Sequence, residues 1–219
     1  RLPVGGVGQI GHGPRATLDR LATEPVESRV EDAKEALPFR KYRVEYRSLG
    51  GVRVVAWLAL PVGAGPRPLP AIVTAPGYGS PQQGIMLEEC QRGYAILQVF
   101  PRSQGPSRDL WTIDGPDKLT WNLGRPEGAY YQGAYADVIR GIDFLLTRPE
   151  VDRERIGVAG TSQGGGIALA VAALDPRVKV VVAHVPFLCD VRTAARTEGA
   201  LIRTLLDKAG VNDERHLAS

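Results

Sequence analysis

The spacing of apolar residues changes along the chain. Tyr42, Val44 and Tyr46 alternate with polar residues, and Val52 to Leu60 forms a second β-rich run beyond Gly50-Gly51. Two such runs flanking a glycine pair predict an antiparallel hairpin. Beyond it, short strand-like runs alternate with helix-like stretches. Ala71 to Ala75 reads as a buried strand, 82–92 as a helix, and Tyr94 to Phe100 as another strand. Tyr135, Val138, Ile139, Ile142, Leu145 and Leu146 recur at helical spacing. Next come a strand at 155–159, a helix at 163–174, a strand at 178–183 and a helix over 191–209 with Leu201, Ile202, Leu205 and Leu206 on one face.

The remaining segments are less regular. Residues 1–14 are rich in glycine and proline and read as a loose arm, and 15–37 predict one or two short helices. Residues 101–129 carry many Gly, Pro and Trp without periodicity, and loops of that length tend to be functional. An antiparallel hairpin followed by repeated strand–helix units predicts an α/β fold, a mostly parallel sheet with helices on both faces. The expected divisions are an arm with short helices over 1–37, the sheet-bearing core over 38–190, and a helical tail over 191–219.

The junction between the strand at 155–159 and the helix at 163–174 carries the chemistry. It reads Gly160-Thr161-Ser162-Gln163-Gly164-Gly165-Gly166. A G-x-S-x-G pattern on a sharp strand-to-helix turn lifts the serine hydroxyl clear of the sheet and places the next N–H at a helix N-terminus. Gly160 and Gly164 support that turn because side chains there would collide with neighbouring backbone. A serine elbow on the central strand of such a sheet predicts an α/β-hydrolase, with Ser162 as nucleophile and the Gln163 N–H as one oxyanion donor.

Composition narrows the reading. At 219 residues, 43% of them hydrophobic and 23% charged, the chain has the balance of an ordinary globular protein with a sizeable core. The net charge of +3 is small and its basic residues are scattered, so no nucleic-acid partner is expected. No run reaches the roughly 20 apolar residues that span a bilayer, so no membrane partner is expected either. Cys90 and Cys189 suit buried thiols better than a disulfide framework or a zinc site, and no metal or cofactor is implied. Gly6-x-Gly8-x-x-Gly11 has the form of a dinucleotide fingerprint but lacks the strand before it and the helix after it. No signal-peptide core is present, which leaves the compartment open because a processed secreted protein would also lack one; the cytoplasm is preferred to export.

Several segments together resemble the acetylxylan esterase and cephalosporin-C deacetylase family of α/β-hydrolases. They are Gly77-Tyr78-Gly79, Arg102-Ser103-Gln104-Gly105, Tyr130-Tyr131 leading into Asp137-Val138-Ile139-Arg140, Pro149 to Ile156 running into the elbow, and Pro186-Phe187-Leu188-Cys189-Asp190. The resemblance covers about residues 38–190. It implies a serine esterase acting on short acyl esters, above all acetyl esters of carbohydrates or small molecules, through an acyl-serine intermediate. It also implies a second oxyanion donor at the Tyr78 N–H, with the Tyr78 ring walling the acyl pocket, and a supporting role for Arg102 and Gln104. Self-association into a homo-oligomer is expected from the same source. Two departures stand out: the family's Arg-Gly-Gln is here Arg102-Ser103-Gln104, and its run of three tyrosines is here Ala129-Tyr130-Tyr131. Trp111 and Trp121 could line the pocket or pack behind it.

The base is harder to place. In this fold the acid and the histidine follow the nucleophile in chain order. His184, at the end of a strand, reads as a packed core residue, and His216 lies in a polar tail. Asp190 follows a strand but matches a block that does not carry the triad acid in the resembled family. The chain is therefore expected to lack the last strands, the closing helix and the triad Asp and His. The alternatives are a truncated or silent hydrolase-like module without turnover, and a dipeptidyl-peptidase-like serine hydrolase.

Overall fold

The computed structural model describes residues 13–35, 38–63, 65–79, 86–115, 117–122 and 128–209. Its strands are β1 (Arg29–Asp32), β2 (Phe39–Arg47), β3 (Arg53–Pro61), β4 (Leu69–Ala75), β5 (Ala95–Phe100), β6 (Val151–Thr161) and β7 (Val178–His184). They form one sheet in the order β1-β2-β3-β5-β4-β6-β7. The ladders β1/β2, β2/β3 and β3/β5 are antiparallel, while β5/β4, β4/β6 and β6/β7 are parallel. Strands β2, β4, β5, β6 and β7 thus run one way and only β1 and β3 oppose them. This is the mostly parallel sheet with an N-terminal hairpin that the sequence predicts.

The helices are α1 (Pro14–Thr23), α2 (Leu87–Gln91), α3 (Tyr130–Leu146), α4 (Gln163–Leu174), α5 (Val191–Arg196) and α6 (Leu201–Ala209). Side chains alternate across each strand, so one strand feeds two cores. Leu97 and Val99 of β5 face the large core under α3 and α4, together with Val73 and Val158. Ile96 faces the other way, into a smaller core with Cys90 of α2, Phe39 and Ala59. A third cluster joins Leu119 to Ala195, Ile202 and Leu206 of α5 and α6.

Some expectations need correction. Of the one or two short helices expected over 15–37, one is observed, α1, and residues 29–32 form an edge strand that pairs with Tyr42–Glu45 of β2. The helix expected over 191–209 is two helices, interrupted where Gly199 takes φ 74°. Of the helix expected over 82–92, Leu87–Gln91 is observed and 82–85 lie outside the described residues. In the described sheet the strand leading to Ser162 lies between β4 and β7, and β7 is the last strand described. The valines of β7 are correspondingly open: Val180 is 60% and Val182 58% exposed. With Ile72, Met86, Tyr94 and Val158 they line a cavity of about 600 Å³ on that face, which includes none of the residues singled out at the elbow.

Candidate active site

β6 ends at Thr161 and α4 begins at Gln163, leaving Ser162 alone between them with φ 57° and ψ −121°. Such backbone is strained for any residue but glycine and persists only where its surroundings dictate it. Here three hydrogen bonds do so. The Ser162 N–H donates to the His184 carbonyl at 3.0 Å, and the Ser162 carbonyl accepts from the Phe187 N–H at 2.8 Å and the Gly166 N–H at 3.1 Å. The turn after β7 therefore pins the elbow from one side.

The two glycines expected to support the turn make its closest approaches. A Cβ on Gly160 would lie 2.3 Å from the backbone of Gly164, and one on Gly164 would lie 2.1 Å from the Ala75 carbonyl oxygen. Both contacts are with backbone, which cannot swing aside, so Gly160 lets the end of β6 fold back onto α4 and Gly164 lets β4 pass beside α4.

Gln163 is wholly buried. Its N–H, at the first position of α4, has no intrahelical partner by geometry. Its side chain does separate work: Nε2 donates to Gln104 Oε1 at 2.7 Å and to the Pro76 carbonyl at 3.3 Å, and Oε1 accepts from the Tyr131 hydroxyl at 3.1 Å. Gln104 continues the chain, its Nε2 donating to the carbonyls of Gly77 at 3.0 Å and Tyr78 at 3.3 Å. The elbow and the loop after β4 are thereby joined through side chains.

Arg102 closes the network farther back. Its Nε and Nη2 donate to the two carboxylate oxygens of Asp137 at 3.0 and 2.7 Å, its backbone N–H to the same carboxylate at 2.8 Å, and Nη2 also to the Leu49 carbonyl at 3.0 Å. Burial works against the guanidinium charge, but the Asp137 carboxylate outweighs it and holds the Arg102 pKa above its ordinary value. Gly133 of α3 leaves room for the guanidinium, which lies where a Cβ would approach to 2.6 Å. Tyr130 hydroxyl donates to the Arg102 carbonyl at 2.9 Å. Trp111 lies over the guanidinium at 5.6 Å and meets Trp121 edge-on at 5.4 Å, so both tryptophans pack around this support.

Ser103 stands where the resembled family has glycine, and its φ is 62°. The bend favours glycine, and serine there is held by its N–H donating to the Trp111 carbonyl at 3.1 Å. Tyr78 is half-buried, with its ring edge-on to Phe187 at 5.8 Å. Its hydroxyl donates to Asp117 Oδ1, and burial together with that carboxylate raises the phenol pKa far above its usual value.

The residues considered for the base lie elsewhere. His184 is exposed rather than packed in the core, because β7 is an edge strand, and it meets Ser162 through its backbone carbonyl. Asp190 caps α5, its carboxylate accepting from the Thr193 N–H at 3.2 Å, which lowers its pKa. Cys90 is buried as expected, whereas Cys189 is exposed. His216 and Gly6-x-Gly8-x-x-Gly11 lie outside the described residues. Among the described residues, no imidazole or carboxylate hydrogen-bonds the Ser162 hydroxyl. Asp117 and Lys118 enter the site with no signal beyond their place in the long irregular loop, whereas Tyr131 belongs to the Tyr130-Tyr131 segment that carries the resemblance.

Comparison with known proteins places the chain. Residues 15–200 match the acetyl xylan esterase (AXE1) family model, and the chain belongs to that family. The acetyl esterase Axe7A of Xylanibacter ruminicola is 40% identical over 72 residues, 33% of this chain and 16% of that protein. The thiohydrolase apmlB of Arthrinium phaeospermum is 33% identical over 144 residues, 66% of this chain and 42% of that one. The acetyl xylan esterase from Paenibacillus sp. R4 superposes with a TM-score of 0.81 at 29% identity, over 94% of this chain and 69% of that structure. The chain thus spans less than half the length of either curated relative.

Proposed function

We propose that this chain carries the nucleophile and the oxyanion hole of a serine esterase acting on short acyl esters, acetyl esters foremost. The observation that carries the reading is Ser162 in left-handed backbone between β6 and α4, with the Gln163 N–H at the start of that helix. Membership of the acetyl xylan esterase family supports the same chemistry.

In this reading Ser162 Oγ adds to the acyl carbon of the substrate and loses its proton to a base. The carbonyl oxygen becomes an oxyanion that accepts hydrogen bonds from the N–H groups of Gln163 and Tyr78. Collapse expels the alcohol, which takes up the proton, and water repeats the sequence on the acyl-serine to release the acid. Gln104 bears directly on this, because it bonds both the Gln163 side chain and the carbonyls of the Tyr78 loop, which fixes the spacing of the two donors. Donors held in place before the reaction need no reorganisation as charge develops.

The Tyr78 ring beside the donors shortens the acyl pocket. Acetyl esters should then exceed octanoyl esters in kcat/KM by at least about tenfold, some 1.4 kcal/mol of transition-state discrimination. Ser162→Ala should lower turnover by about a thousandfold or more. Equal rates for acetyl and octanoyl esters would remove the short pocket from the reading, and ester turnover that survives Ser162→Ala would remove the nucleophile.

A further inference from the structure

Two consecutive residues of the loop after β5 hold Tyr78 at both of its ends. Asp117 Oδ1 accepts the hydrogen bond of the Tyr78 hydroxyl. The Lys118 ammonium lies over the face of the Tyr78 ring, 4.4 Å from its centroid, and donates to the Tyr78 carbonyl at 3.2 Å. One residue thus fixes the tip of the ring, and its neighbour covers the ring face while gripping the backbone that carries the ring.

The loop is itself anchored. The Leu119 N–H donates to Asp117 Oδ1 at 2.8 Å and the Thr120 hydroxyl to the Asp117 carbonyl at 3.4 Å. Leu119 is buried against Ala195, Ile202 and Leu206 of α5 and α6. Across the ring stands Phe187, whose N–H is bonded to the Ser162 carbonyl. Tyr78 therefore lies between a loop fastened to the small helical cluster and a turn fastened to the elbow.

The lysine is the informative member. Lysine side chains normally extend their ammonium into water, yet Lys118 is half-buried over an aromatic face with a carbonyl as acceptor. Burial draws its pKa below the ordinary value, although the neighbouring Asp117 carboxylate opposes that. A surface lysine would gain little from such a position; one that orients the residue beneath it has a reason to be there.

We propose that Asp117 and Lys118 are positioning residues that set acyl-chain selectivity, by clamping the Tyr78 ring as the fixed wall of the acyl pocket and its peptide unit as part of the oxyanion hole. This rests on the reading of Tyr78 given above. Released from the clamp, the ring is free to turn away and admit longer acyl chains, while the fold keeps its other supports.

The test compares acetyl and octanoyl esters in the full-length protein carrying Asp117→Ala, Tyr78→Phe or both. Each single change should lower the acetyl-to-octanoyl ratio of kcat/KM at least fivefold, and the double change should lower it no further, since both break the same Tyr78–Asp117 bond. Lys118→Met should lower kcat for acetyl ester with KM little changed, and Lys118→Arg should recover most of that loss. An unchanged ratio in both single variants overturns the proposal. If Asp117→Ala lowers the melting temperature by more than a few degrees, Tyr78→Phe decides alone, because it removes only the hydroxyl. Ser162→Ala run alongside separates the two levels. Turnover that survives it rejects the serine reading and the clamp's role with it, whereas turnover that vanishes with the ratio unmoved rejects the clamp alone.

Discussion

The groups that support the Ser162 turn from within and the cluster of Tyr78, Lys118 and Phe187 beyond it differ in burial and in bonding. Gln104, Gln163 and Asp137 are essentially without exposure, and each is bonded to groups that are themselves fixed. Tyr78, Lys118 and Phe187 are half-buried and meet through side chains from a loop and a turn. A buried polar network that is fully paired is rigid but intolerant, because any group left alone there keeps its desolvation penalty. A half-exposed contact can be lost to water at small cost. The support should therefore carry stability, and the rim should carry selectivity.

Arg102→Met is the strongest way to break that contrast. It leaves the Asp137 carboxylate buried without its partner, and losing one member of such a pair costs about 3–5 kcal/mol. Denaturant unfolding should show a loss of that size. Gly164→Ala comes next, because its Cβ would meet the Ala75 carbonyl oxygen at 2.1 Å; forced overpacking of this kind costs about 1–3 kcal/mol. Esterase activity should fall together with stability, since the distortion falls on the elbow.

Tyr78→Phe should do the reverse. It removes a half-exposed hydrogen bond, so unfolding free energy should change by no more than about 1 kcal/mol while acyl selectivity moves. A loss of several kcal/mol would show that the rim is as structural as the support. Ser103→Gly gives the smallest effect, with the opposite sign. Relieving the positive φ should raise stability by up to about 1 kcal/mol, partly offset by the Ser103 Oγ contacts with Thr112 and the Ile113 N–H. The melting temperature should rise slightly or stay level.

The same contrast governs what could be read from the sequence. The elbow, its glycines and the helix after it are local, so residues 155–174 display them directly. The alternation of strands and helices likewise followed from periodicity within short windows. What escaped was set by distant neighbours. Strands β5 and β7 are both short apolar runs, Ala-Ile-Leu-Gln-Val-Phe and Val-Lys-Val-Val-Val-Ala-His, yet β5 is buried throughout and β7 is largely exposed. The difference is position in the sheet, which also brings His184 to the surface. Arg29–Asp32 has one apolar residue in four and becomes a strand only by pairing with β2. The contacts of Tyr131 with Gln163 and of Asp117 with Tyr78 join positions 32 and 39 residues apart, and no spacing rule within one element exposes them. The break between α5 and α6 falls at Gly199, which the apolar face of Leu201, Ile202, Leu205 and Leu206 beyond it masks in the sequence.

The proposed chemistry depends on Ser162 as the nucleophile, and a covalent adduct tests that most directly. The protein should be assayed on short esters, treated with a fluorophosphonate, digested and mapped by mass spectrometry. One labelled residue is expected, Ser162, with ester turnover lost in parallel with labelling. Loss of turnover with the label on Ser103, Ser107 or any other residue would contradict it.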